Sequence, residues 1–456
     1  MEKVIVVGAG LVGSLLAIFL KKRGFEVEVF ERNPDIREHR QVSGRSINLT
    51  LCERGLRALD IVGAGEAVRD LSVPAYGRLV HDVAGNLTFQ PYGNSDEAIY
   101  SISRSGLNAY LLDLAESGYG LEVQFNEKCV GLDLSSATIE MQNRVSGHIS
   151  RHKADRIIGA DGAFSAIRFH LIKTYGFNYS QQYWEQGYKE LTVAPGAESG
   201  WLSERNALHI WPRRQYMLIG FPNVDGSFTC SLHIPLKGDP SFQSITTEKD
   251  LTRFVQASFP DAAERFANLA EEYFINPPNY MITIKCSPWS HGDRILLIGD
   301  AVHAIYPSYG QGANAGFEDC AVLDTLIGEY GDDWHSIFLR FEEARKANTD
   351  AIADLCVEHF IELRDDVGNP AFQLRKQIER KLSRLYPDRY KDLYSMITFT
   401  CIPYAQAIET DRTQRAIRER LLKLAQKNNG IDNPELDRAM ESLMREYPGL
   451  AHAAAD

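Results

Sequence analysis

Cysteine is sparse in this 456-residue chain: Cys52, Cys129, Cys230, Cys286, Cys320, Cys356 and Cys401 lie far apart and never form C-x-x-C. That pattern excludes a disulfide-stapled miniature and fits a reducing compartment in which most thiols are packed and structural. The twelve histidines include no H-E-x-x-H or other ligand spacing, so no metal site is expected. Basic residues are the minority, 49 Lys plus Arg against 61 Asp plus Glu, a net charge of −12. This argues against nucleic acid or an anionic membrane as the main partner, while leaving local basic patches open. Internal repeats and low-complexity tracts are absent. Long apolar runs are nearly so: residues 4–20 run 17 positions without a charge before Lys21-Lys22-Arg23. A signal anchor is disfavoured there, because Val4-Ile5-Val6-Val7 is β-type, three glycines follow at fixed spacing, and the basic flank is on the wrong side. A cytoplasmic protein without a membrane anchor is expected.

What is present is ordinary for a globular chain: 44% hydrophobic and 24% charged residues, with length for two or three folding units. The opening reads strand (3–7), glycine turn, helix (11–23), strand (26–31), a βαβ unit. Helical patterns return over 53–71. Stretches 76–100 and 175–284 read mostly as strand and bracket a helix (105–117) and a strand at Arg156-Ile157-Ile158. A buried strand follows at 294–298, and the chain reads mostly as helix from about 316.

Gly8-Ala9-Gly10-Leu11-Val12-Gly13 is G-x-G-x-x-G between strand and helix. The first glycine permits the tight turn, the second lets a pyrophosphate approach the backbone, and the third lets the helix pack closely. Glu31, ending the second strand, is placed to accept from an adenosine ribose, which favours NAD or FAD over NADP. A ligand-free glycine turn is the alternative. Two later motifs separate NAD from FAD. Ile157-Ile158-Gly159-Ala160-Asp161-Gly162 is a strand entering G-A-D-G, with Arg168 beyond. Ile295-Leu296-Leu297-Ile298-Gly299-Asp300-Ala301 is a strand ending in G-D-A, continuing through Pro307 to Gly310-Gln311-Gly312-Ala313-Asn314, where a helix opens. Taken alone, Asp300 would read as a helix cap.

In this order and spacing the three motifs resemble the aromatic-hydroxylating flavoprotein monooxygenases of glutathione-reductase-like type. The strings Gly44-Arg45-Ser46-Ile47-Asn48-Leu49, Gln90-Pro91-Tyr92-Gly93, Gly187-Tyr188-Lys189-Glu190-Leu191, Leu208-His209-Ile210-Trp211-Pro212 and Tyr394-Ser395-Met396-Ile397-Thr398-Phe399 narrow the resemblance to the kynurenine 3-monooxygenases. It runs from residue 3 to about 405. Eukaryotic members carry a hydrophobic C-terminal anchor, whereas this chain has charged helical patterns there and is similar to the bacterial form.

The resemblance implies an α/β fold: a discontinuous Rossmann-like FAD domain (1–75, 101–174, 285–350), an inserted, mostly antiparallel β substrate domain (76–100, 175–284) and a helical C-terminal region (351–456). It implies FAD held by Gly8, Gly10, Val12, Gly13, Phe30, Glu31, Arg32, Arg45, Thr50, Arg104, Asp161, Asp300, Gly312, Ala313 and Asn314. NADPH would dock transiently, since no second fingerprint exists. No catalytic group beyond the flavin is implied, because oxygen would be transferred from a flavin hydroperoxide to the ring, most simply of L-kynurenine to give 3-hydroxykynurenine. Arg78, Tyr92 and Tyr394 would hold the substrate's amino-acid carboxylate, with Pro307 beside the flavin ring and Tyr309 and His359 in the pocket.

Two departures from the family stand out. Ser308-Tyr309 stands where two aromatics, or Phe-His, are usual, which would open space above the flavin. His359 stands where the family has Asn, introducing a group able to change charge near neutral pH. A related anthraniloyl or quinoline acid is therefore the alternative substrate. A dehydrogenase on the same fold and a silent FAD-binding module are further alternatives. Oligomeric state is not readable from the sequence.

Overall fold

A computed structural model describes residues 2–38, 47–195, 204–365, 369–428, 430–447 and 449. The first strand, Lys3–Val7, is the hub of a six-stranded sheet. It pairs in parallel with Glu26–Phe30 on one side and Arg156–Gly159 on the other. Val123–Gln124 and Ile295–Leu297 extend the parallel array, and Ser290–His291 closes one edge as an antiparallel strand. Val4, Ile5 and Val6 are wholly buried, as expected of a parallel sheet covered on both faces. Helix Leu11–Lys22 covers one face, and a three-stranded antiparallel meander (Glu127–Asp133, Thr138–Asn143, Ile149–Lys153) shares the same core.

The second large element is a seven-stranded sheet ordered Asn279–Ser287, Asn178–Val193, Phe228–Pro235, Tyr216–Pro222, Ala207–Arg213, Gly77–His81, Leu87–Pro91. All neighbours are antiparallel except Ala207–Arg213 and Gly77–His81, which run parallel. Side chains alternate across it, so one register sorts residues onto two faces. Leu191, Trp211, Leu218, Cys230 and Leu232 share a core with Leu251, Phe254, Val255, Phe259 and Tyr273. Ile210, Met217 and Ile219, from the opposite face, share another with Ile305, Tyr309, Ile352, Phe360 and Met396. Arg78, opposite Leu208, points to this second face.

Three differences from the sequence reading concern boundaries. Within the stretch read mostly as strand, residues 248–275 form helices Glu248–Ser258, Pro260–Ala263 and Leu269–Ile275. The first is capped by Thr247, whose hydroxyl accepts from the Asp250 amide, and its i, i+3, i+4 residues Leu251, Phe254 and Val255 cover the outer sheet face. Boundaries at 100/101 and 284/285 fall inside strands Ile99–Ser103 and Asn279–Ser287. The one at 350/351 falls inside the unbroken helix Trp334–Asp365, so the cofactor and C-terminal parts share a rigid element. Helices Pro370–Leu385, Tyr404–Lys427 and Pro434–Glu446 build a separate apolar cluster. Among the described residues no helix is long and apolar enough to cross a membrane.

Of the three histidines buried in the large sheet (His81, His209 and His233), His209 stands at 0% and His233 at 5% exposure. Burial pushes both imidazoles down to about 4. An unfolded histidine titrates near 6.5, so as pH falls from about 6.5 to about 4 the unfolded chain binds protons that the folded chain refuses. Stability is therefore expected to fall as pH falls through that window, by at most about 1.4 kcal/mol per histidine for each pH step of one. Thermal melting against pH checks this: the wild-type slope should exceed that of His233→Gln, and equal slopes would contradict the assignment.

Candidate active site

The glycine turn has the geometry of a phosphate cradle. Gly8 stands at φ +101°, and a Cβ on Gly13 would lie 1.9 Å from the Gly8 carbonyl oxygen, so helix and turn touch directly. A Cβ on Gly10 would meet nothing within 4 Å, leaving open space over the turn. Helix Leu11–Lys22 has neither a side-chain cap nor an acid in its first turn, so its leading amides have no side-chain partner among the described residues. Two buried polar atoms beside the turn lack a partner among the described residues. They are Asn108 Oδ1, whose Nδ2 donates to Ala9 O at 3.2 Å, and Asp161 Oδ1. Glu31 Oε2 accepts from the Ala9 amide at 2.9 Å and Oε1 accepts from both Asn33 nitrogens. Its remaining lone pair is available to a ribose hydroxyl. The residues present fit an FAD adenosine diphosphate.

The other two motifs close on the same helix. Val12 fills the gap left by Gly299 and Gly316, whose Cβ atoms would stand 3.2 and 2.5 Å from its methyls. Asp300 begins helix Asp300–His303 half-buried, its carboxylate accepting no hydrogen bond from the described residues. Helix Gly312–Tyr330 likewise starts without a side-chain cap or a first-turn acid, so Gly312 and Ala313 present free amides. Arg104, exposed at the start of helix Arg104–Asp113, lies close enough to Glu190 to lower its carboxyl. Burial nevertheless raises Glu190 to about 7, with the Ile47 amide opposing it.

The inner sheet face carries a second constellation. Arg78 is 9% exposed on strand Gly77–His81. Its Nε donates to Gln90 Oε1 at 2.9 Å, while its two terminal nitrogens have no partner among the described residues. Beside it runs an aromatic column drawn from four elements. Tyr92 stacks on Tyr394 (centroids 5.1 Å, planes 16° apart), Tyr394 on Tyr309 (5.5 Å, 28°), and Tyr309 meets His359 at 4.2 Å. Burial raises all three phenols above their ordinary values, so each keeps its hydrogen.

Several expected residues do other work. Phe30 is a core side chain packed edge-on to His152, and only its carbonyl serves the turn, accepting from the Gly8 amide at 2.7 Å. Asn314 is wholly buried with its amide consumed: Oδ1 accepts from Cys52 N, and Nδ2 donates to the Thr50 and Gly310 carbonyls. It thus ties strand Asn48–Leu51, with Thr50, to the Gly310 turn. Asp161 Oδ2 accepts from the Ala166 and Ile167 amides as a helix cap. Arg32 and Pro307 are exposed. Arg45 lies outside the described residues. Ser308 donates to the Cys356 carbonyl, so it fastens the Pro307–Tyr309 turn to the long helix instead of merely opening space. His359 is no neutral-pH switch, because burial first and then Arg78 and Lys376 hold it well below its ordinary value. Asn108 was missed, although it sits one helical turn from Arg104 on the same face, a readable signal.

A fold and a cradle of this kind define a flavoprotein with a nucleotide-binding domain of the FAD type. A model of the FAD binding domain family matches residues 1–354. The chain is 46% identical over 443 residues to the kynurenine 3-monooxygenase of Flavobacterium johnsoniae, covering 97% of this chain and 99% of that protein. To that of Myxococcus xanthus it is 43% identical, covering 90% and 88%. The Dictyostelium discoideum enzyme of the same name is 37% identical, covering 92% and 93%. It belongs to the kynurenine 3-monooxygenase family. In fold alone it is similar to 2-methyl-3-hydroxypyridine-5-carboxylic acid oxygenase, with TM-score 0.65 at 22% identity over 81% of this chain and 94% of that one.

The two cradle glycines separate folding from cofactor binding. Gly13→Ala is expected to lower the melting temperature of the cofactor-free chain, because its methyl has nowhere to go. Gly10→Ala is expected to leave that melting temperature unchanged and to weaken FAD in a fluorescence titration by about tenfold or more, a loss of about 1.4 kcal/mol. Equal FAD affinity for Gly10→Ala and wild type would contradict the cradle.

Proposed function

We propose that the chain is an FAD- and NADPH-dependent hydroxylase that inserts one atom of O2 into the ring of L-kynurenine, giving 3-hydroxykynurenine. The observation that carries this reading is the terminal fork of buried Arg78, without a partner among the described residues, at the foot of the Tyr92–Tyr394–Tyr309–His359 column. The naming of the full-length relatives supports it. A guanidinium whose fork is free pairs bidentately with a carboxylate, and the protonated Tyr92 and Tyr394 add hydroxyl donors to the same oxygens. His359, held neutral, offers a ring nitrogen able to accept from the substrate's ammonium group. Tyr309 precedes the free amides of Gly312–Tyr330 by three residues, so a ligand anchored at Arg78 is led toward the flavin end. Ile210, Met217, Ile219, Met281 and Phe360 share one buried apolar cluster with Tyr309, a setting in which a bound ring would be shielded from water. When bound, FAD reduced by NADPH supplies the activated oxygen. NADPH docks transiently, since no second dinucleotide fingerprint is present.

The departures at Ser308, Tyr309 and His359 sustain a second reading, the same chemistry on a related anthraniloyl or quinoline carboxylic acid. NADPH oxidation with and without L-kynurenine, together with product mass, decides between them. Stimulation by L-kynurenine and a mass gain of one oxygen are expected. Stimulation only by an anthraniloyl or quinoline acid would establish the second reading, and none by either would sink both. Arg78→Met should raise KM by about 10- to 100-fold with a smaller change in kcat, as for loss of a charged hydrogen bond.

A further inference from the structure

We infer that Asp319 and Arg345 are positioning residues of the cofactor site, fixing the Gly299–Asp300 turn relative to the N-terminus of helix Gly312–Tyr330. This rests on FAD occupying that site as proposed above. Asp319 is wholly buried on the second turn of that helix, and both of its oxygens accept hydrogen bonds. Oδ2 accepts from the Gly299 amide at 3.2 Å and from His303 Nε2 at 2.5 Å. Oδ1 accepts from Arg345 Nε at 2.6 Å. One carboxylate on the helix thus grips both ends of the four-residue helix that begins with Asp300.

Arg345, on the long helix Trp334–Asp365, holds this carboxylate in place. Besides Asp319 it reaches Glu318 Oε2 through Nη1 at 2.5 Å and the Ala315 carbonyl through Nη2 at 3.1 Å. Burial alone would raise the Asp319 carboxyl, but His303 and Arg345 outweigh it and keep it ionised. Glu318 then passes the contact outward. Its Oε1 accepts from Arg54 Nη1 at 2.7 Å, and Arg54 lies over the Tyr404 ring at 4.0 Å. The Tyr404 hydroxyl donates to Gln311 Oε1 at 2.8 Å, at the cap position of the flavin-facing helix. The network therefore touches both cofactor segments and the C-terminal helices.

Stability alone does not account for such a cluster. A buried ion pair is commonly matched or bettered in stability by apolar residues of the same volume. An apolar pair could not, however, receive the Gly299 amide and His303 Nε2, both of which face the interior. Losing that grip frees the Asp300 turn to shift by fractions of an ångström against Gly312, and cofactor affinity depends on that spacing.

The test is FAD titration of the full-length cofactor-free protein by flavin fluorescence, with visible circular dichroism of the bound flavin and a melting curve. Asp319→Asn keeps size but replaces an acceptor oxygen with a donor, and is expected to weaken FAD by about tenfold or more and to change the dichroic band. Leu382→Ala, in the separate C-terminal cluster, is the stability control. It should lower the melting temperature while leaving FAD affinity and the band unchanged. If Asp319→Asn does not fold, Arg345→Lys keeps the charge without the fork and should still weaken FAD. Wild-type affinity and an unchanged band in Asp319→Asn, or in Arg345→Lys where that stands in for it, would overturn the inference. A wild-type chain that fails to bind FAD would instead overturn the reading on which it rests.

Discussion

The first turn of helix Leu11–Lys22 is where the fold has no room to spare. Gly13 meets the Gly8 carbonyl, Gly8 meets the backbone of Ala160 and Asp161, and Val12 occupies the notches left by Gly299 and Gly316. Four chain segments separated by up to three hundred residues converge there, and any added methyl at Gly8, Gly13 or Gly316 would strike a neighbour. Backbone meets backbone at Gly8 and Gly13, which leaves these segments little freedom to shift. The free helix amides of Leu11–Lys22 and Gly312–Tyr330 then acquire a defined mutual orientation, which a long, two-ended cofactor requires.

The seven-stranded sheet divides its labour by alternation. Its outer face is closed by helices of residues 248–275 over an apolar core. Its inner face keeps Arg78 and Glu190 among apolar residues, four strands apart, and meets the tyrosine column and the long helix. A one-residue slip in register would exchange the faces and move Arg78 into the outer core. The parallel pairing of Gly77–His81 with Ala207–Arg213, Arg78 opposite Leu208, guards against that slip.

The sequence made the cofactor half legible because its signals are local: glycines at fixed spacing, strands before them, helices after. That Tyr92 and Tyr394 come together followed from the resemblance, since the short strings around the two tyrosines are characteristic of the family. Long-range partners were not legible. Nothing local shows that the Asn314 amide is consumed by Cys52, Thr50 and Gly310, that Ser308 turns toward Cys356, or that burial beside Arg78 keeps His359 neutral. The helices over 248–275 were hidden by flanking strand patterns. The net charge of −12 likewise says little about the ligand: the proposed carboxylate site needs only one desolvated arginine, whatever the charge of the distant surface.

The central claim is that Arg78 anchors the substrate carboxylate and the tyrosine column directs the ring toward the flavin-facing helix. A crystal structure of the FAD-loaded enzyme with L-kynurenine tests it most directly. The expected result is a carboxylate in bidentate contact with the terminal nitrogens of Arg78 and an aromatic ring beside Tyr309 at the start of Gly312–Tyr330. A ligand bound with its carboxylate away from Arg78, or off the inner face of the large sheet, would contradict it.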